Sequence, residues 1–165
     1  MMRWMVPGIA LGLSCLPVYA HAHAHAVRDC TFHHAAMVLD DGQGAFDGMM
    51  HGGMWLVVRN TGPRACSLAS AGPISFEDGH HHTIPVRWQQ GVAVPDGMLR
   101  PGGQVRTALR WVSGNAFDPG YCITPATLVL PLHGGALRQS FGRSLCAPSG
   151  VPPTLEQQPW RAAPE

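Results

Sequence analysis

Three short stretches of this chain carry side chains able to bind metal ions. The first is His21-Ala22-His23-Ala24-His25-Ala26. If the chain is cut after Ala20, a free amine at His21 precedes a histidine at the third position. That amine, two deprotonated backbone amides and the His23 imidazole form the square-planar set favoured by Cu(II) and Ni(II). His21 also offers a second mode, in which its amine and imidazole chelate together and another histidine such as His25 completes the set. The second stretch, Met49-Met50-His51-Gly52-Gly53-Met54, combines thioethers with one imidazole, and soft ligands select Cu(I). Its glycines allow the backbone to wrap closely. The third is His80-His81-His82 after Glu77-Asp78-Gly79. Neighbours in extended chain point to opposite faces, so His80 and His82 are expected to act together while His81 faces away. Met37 and Met98 are weaker candidates, and His33, His34 and His133 read as ordinary surface or core histidines.

Each stretch also has a plainer reading. The His-Ala repeat suits a low-complexity linker, and methionines can plug the end of a core as adaptable apolar residues. Composition favours metal chemistry: the 165 residues include ten histidines and eight methionines, against ten carboxylates. Eleven basic residues, all arginine, leave a formal net charge of +1 and no basic stripe, so nucleic acid is not an expected partner. No hydrolase, zinc-protease or phosphate-loop motif is present, and serine and aspartate are too scattered to suggest a triad. The expected protein is therefore not an enzyme. A copper-dependent oxidative enzyme is a minor alternative, weakened by the lack of long loops for a substrate platform. Zinc and nickel rival copper for the imidazoles.

These ligands need a scaffold, and the chain indicates what it is. Residues 1–20, with Arg3, an apolar run and Pro17-Val18-Tyr19-Ala20, predict a secretory signal, leaving 21–29 as a His-Ala-rich segment. Lipidation at Cys15 is the competing reading. No other run is long enough to span a membrane. The expected location is periplasmic or secreted, with a metal ion as partner and another envelope protein as a second candidate. Cys30, Cys66, Cys122 and Cys146 form an even set without C-x-x-C pairs, which in an oxidising compartment predicts two disulfides.

Strand patterns recur at 31–39, 54–59, 73–77, 83–88, 104–113, 127–132 and 137–144. The clearest places Val105, Thr107, Leu109 and Trp111 on one face, with Arg106 and Arg110 on the other. Turn signals separate the runs, among them Asn60-Thr61-Gly62-Pro63 and Pro101-Gly102-Gly103. The expectation is an all-β, immunoglobulin-like antiparallel sandwich of about seven strands over 30–146, with a disordered Pro-rich tail at 147–165. Pro85 and Pro131 fall inside strand patterns, which puts them at edges or bulges. Counting strands up and down pairs Cys30 with Cys66 at one end and Cys122 with Cys146 at the other. Two other connectivities are possible. The same count places the Asp78–His82 tip and the 40–48 turn at a common end.

The order Cys30, then Trp55-Leu56-Val57-Val58-Arg59-Asn60-Thr61-Gly62 running to Cys66-Ser67-Leu68, then Gly72-Pro73, Leu99-Arg100-Pro101-Gly102-Gly103, Cys122 and Cys146 resembles the DUF4232 domain. The resemblance implies an exported bacterial β-rich domain, often with four cysteines. Because the family is one of unknown function, it implies fold and compartment only. The histidines are additions to that pattern. The resulting expectation is a metal-binding protein, with copper the ion its ligand chemistry favours, serving in buffering, delivery or resistance. Its counterpart is a disulfide-stapled envelope interaction domain with incidental histidines.

Overall fold

The computed structural model describes residues 27–46, 48–90 and 98–164. The signal segment and His21, His23 and His25 lie outside the described residues. Among the described residues the fold is all-β. In chain order the strands are β1 (Ala35–Asp40), β2 (His51–Asn60), β3 (Cys66–Ser67), β4 (Ser75–Glu77), β5 (Thr83–Ile84), β6 (Arg87–Gln90) and β7 (Met98–Leu99). They continue with β8 (Gln104–Val112), β9 (Gly120–Ile123), β10 (Thr127–Leu132), β11 (Gly135–Ser140), β12 (Leu145–Pro148), β13 (Thr154–Gln157) and β14 (Arg161–Ala162).

Two sheets enclose the core. One runs β1-β2-β8-β13-β6, with β14 also on β8, and the other runs β11-β10-β4-β5. β2 and β8 dominate the first because both are long and alternate along most of their length. Met54, Leu56 and Val58 of β2 and Leu109 and Trp111 of β8 point inward, toward Phe76 of β4 and Leu128, Leu130 and Leu132 of β10. Phe141 joins the layers, its ring 4.8 Å from that of Phe76 and 5.3 Å from that of Trp111. Each large side chain buried in this way contributes about 1.5–3 kcal/mol.

Both expected disulfides form, Cys30–Cys66 and Cys122–Cys146. They sit at opposite ends of β2. Cys66 pairs with Leu99, whose carbonyl accepts from the Asn60 side chain, whereas Ser144, two residues before Cys146, lines a cleft with His51. Asn60 is buried and satisfied on every side. Its Nδ2 donates to the carbonyls of Arg64 (2.7 Å) and Leu99 (3.1 Å), and its Oδ1 accepts from Gly62 N (2.9 Å). Its backbone meets Gly103 O and Gly102 N, so this one residue, by side chain and backbone together, fastens both turn motifs seen in the sequence.

Two expectations are corrected. The run 83–88 is not one strand: Pro85 and Val86 carry the chain from β5 in one sheet to β6 in the other. A proline fits this crossover because it has no N–H to leave unpaired. Pro131 likewise lies beyond the β4 ladder, which ends at Val129. The second correction concerns the tail expected to be disordered over 147–165, whose described residues include strands β13 and β14. β13 lies between β8 and β6, pairing antiparallel with the former and parallel with the latter, and it buries Leu155 and Gln157. Gln157 accepts a hydrogen bond from the Trp88 indole at 3.0 Å. The segment orders because its few apolar side chains enter a slot already built by distant strands. No helix among the described residues is long and apolar enough to cross a membrane.

Candidate functional site

The β4–β5 tip holds three histidines in a defined arrangement. Asp78 organises it: Oδ1 accepts from the backbone N–H of His80 (2.8 Å) and of His82 (2.9 Å), while Asp78 N donates to His82 O (2.9 Å). The short polar side chain of aspartate replaces backbone partners in this way at tight turns. His81 takes a left-handed φ of 64°, so simple strand alternation does not govern the tip. Even so, the His80 and His82 rings approach to 6.1 Å between centroids, while His81 turns toward Glu77. His82 Nδ1 lies 3.3 Å from Asp78 Oδ2, and His81 Nδ1 lies 3.4 Å from Glu77 Oε2. All three imidazoles are exposed.

The two carboxylates are held ionised. Glu77 receives hydrogen bonds from Arg138 through Nη2 (3.2 Å) and Nε (3.4 Å). These bonds, with help from His81 and against the cost of desolvation, lower its pKa. Asp78 is lowered chiefly by the backbone N–H of His82 and then by that of His80, again against desolvation. Glu77, Asp78 and Arg138 were absent from the expected site. The visible signal was an acid four residues before a histidine, twice over, at Glu77/His81 and Asp78/His82.

The methionine segment divides between solvent and core. Met49 is 89% exposed and Met50 47%, and His51 opens β2 at the surface. Met54, by contrast, is 4% exposed and packs within the core, which corrects its assignment as a ligand. An odd offset of three along an extended strand puts His51 and Met54 on opposite faces. His51 lines a cleft of about 340 Å³ with Asp41, Trp111, Ser113 and Arg143. Met37 is also buried, and Met98 is exposed on β7. His33 and His34 occupy an exposed 3₁₀ turn, and His133 is exposed after β10.

The exposed sets share one end of the molecule. Glu77 pairs with Thr127 and Thr127 with Ser140, and Arg143, just beyond, lines the His51 cleft. They do not merge. Among the described residues, no group of three or more His, Cys, Asp or Glu side chains is arranged to hold a metal ion.

The model for a domain of unknown function, DUF4232, matches residues 30–161. The chain belongs to the DUF4232 family. No curated protein and no solved structure matches it. The DUF4232 match runs past Cys146 through β13 and into β14, so the domain extends beyond the expected boundary at 146. The family is one of unknown function, so membership assigns no chemistry to the histidines.

Proposed function

We propose that this DUF4232 protein is an exported metal-binding protein, with copper as its ion, acting in buffering, delivery or resistance. The observation that carries this reading is the His80–His82 pair, two exposed rings 6.1 Å apart on a tip fastened by Asp78. Two imidazoles sharing one ion through bonds of about 2 Å have centroids roughly 5–6 Å apart, so the ring separation is close to that of a shared ion. In the tautomer protonated on Nδ1, the Asp78 carboxylate orients the His82 ring and leaves Nε2 free as a ligand atom. Carboxylates commonly hold metal-binding histidines in this way.

Two imidazoles do not complete a coordination shell. The fit therefore depends on further donors, and two kinds are available in the chain. Met49 and Met50 present thioethers at the same end of the molecule as the tip, suited to Cu(I) beside His51. His21, His23 and His25 supply the amine-and-imidazole set for Cu(II) once the signal is removed. Copper is favoured over zinc and nickel because only copper, in its two oxidation states, uses both ligand classes.

Paired variants test the division of labour. His80→Ala with His82→Ala should weaken Cu(II) binding at the tip at least tenfold, and Met49→Ala with Met50→Ala should weaken Cu(I) alone. Isothermal titration of Cu(II), and competition titration of Cu(I), measure both. Unchanged affinity in both double variants would remove the described residues from the site.

A further inference from the structure

The outward face of the first sheet concentrates arginine and aromatic side chains that the metal reading does not use. Register puts Val57 opposite Arg106, and Arg106 opposite Arg161 on β14, in one row across three strands. The guanidinium carbon of Arg106 lies 4.0 Å from the centroid of the Trp55 ring, and that of Arg161 lies 5.4 Å from it. Phe46 packs edge-on against Trp55 at 5.1 Å and carries Arg110 at 5.2 Å. Two like charges directly opposite on neighbouring strands destabilise a sheet. Cation–π contact offsets part of that cost but supplies no hydrogen-bond acceptor.

Among the described residues, no carboxylate lies within ion-pair distance of Arg106 or Arg161. Arg106 Nε is buried without a partner. Of the acids on this face, Asp40 stands opposite Trp55 but accepts from Gly42 N and makes no ion pair among the described residues, and Glu156 stands opposite Arg110. The row is thus short of acceptors. A carboxylate satisfies one guanidinium fork, whereas a phosphate monoester has enough oxygens and charge for two. Val38, 57% exposed and opposite Val57, extends the Trp55 surface into an apolar platform for the body of such a ligand.

We infer that Arg106 and Arg161, converging on the indole of Trp55, form a site for a phosphate monoester carried on an apolar or ring-bearing group. The site is independent of the metal reading and remains if that reading fails.

Calorimetry with phenyl phosphate, inorganic phosphate and vesicles containing phosphatidic acid, a lipid phosphate monoester, against vesicles of phosphatidylcholine alone tests it on the purified protein. Phenyl phosphate should bind more tightly than inorganic phosphate. Arg106→Gln and Arg161→Gln should each weaken binding at least tenfold, while Arg100→Gln, in the turn before β8, should leave it unchanged. Arg161 lies in a two-residue terminal strand, so its variant reports on binding even if Arg106→Gln disturbs the sheet. Binding of phenyl phosphate without vesicle binding assigns a soluble ester. Vesicle binding lost in the same two variants assigns a lipid headgroup, and either outcome supports the site. Absence of binding to every probe, or equal loss in Arg100→Gln, would overturn it.

Discussion

Met54 and Asn60 lie six residues apart on β2, and both were conspicuous in the sequence for different reasons. Met54 belonged by spacing to a metal-binding cluster, yet its side chain fills the core. Met54→Ala should therefore cost about 2–5 kcal/mol in urea denaturation and leave copper affinity unchanged. Equal stability with weakened Cu(I) binding would restore it as a ligand. The warning was legible, since Met54, Leu56 and Val58 continue one period-two series. Asn60 was visible only as part of a turn motif, because its partners Leu99 and Gly103 lie some forty residues away in the chain. Asn60→Ala leaves Gly62 N and two carbonyls without partners in a buried site. A loss of about 2–3 kcal/mol is expected from the denaturation midpoint, and a loss below 0.5 would show that water replaces the side chain.

Among the elements, the histidine tip and β13 each make a distinct prediction. Both carboxylates of the tip have lowered pKa values, Glu77 through Arg138 and Asp78 through the His82 amide. Groups lowered by folding stabilise above their ordinary pKa of about 4 and lose that contribution as pH falls through the lower folded value. The His80 and His82 amides should thus stay protected from exchange at neutral pH and open as the solution is acidified below that range. Protection that persists unchanged once both carboxylates are protonated would contradict their role. For β13, Leu155→Ala should cost about 2–5 kcal/mol, as at any core leucine. A disordered tail would show no change. This strand was hidden because its four residues hold a single large apolar side chain, and its parallel pairing with β6 depends on contacts nearly seventy residues apart. The long alternating strands β2 and β8 carried their own signal, as did the turn chemistry between them.

On the scale of the whole molecule, two disulfides clamp opposite ends of a sandwich whose outer surfaces display the exposed histidines and methionines. Their connectivity is the one the up-and-down count of strands favoured, with Cys30 and Cys66 at one end and Cys122 and Cys146 at the other. The bridges span 36 and 24 residues of sequence, and in the chain-entropy model each stabilises the fold by roughly 3–4 kcal/mol. Where the ligands stand relative to one another was not legible, since faces and ends are set by sheet packing and not by spacing. The central claim is that the protein gathers copper through histidine and methionine side chains displayed on this scaffold. Titration of the apo protein, its mature N-terminus established by intact mass, against Cu(II), Cu(I), Ni(II) and Zn(II) tests it most directly. The account predicts binding of both copper ions more tightly than by a free His-Ala-His peptide, with nickel and zinc weaker. Affinities no better than the peptide's for every ion would contradict it.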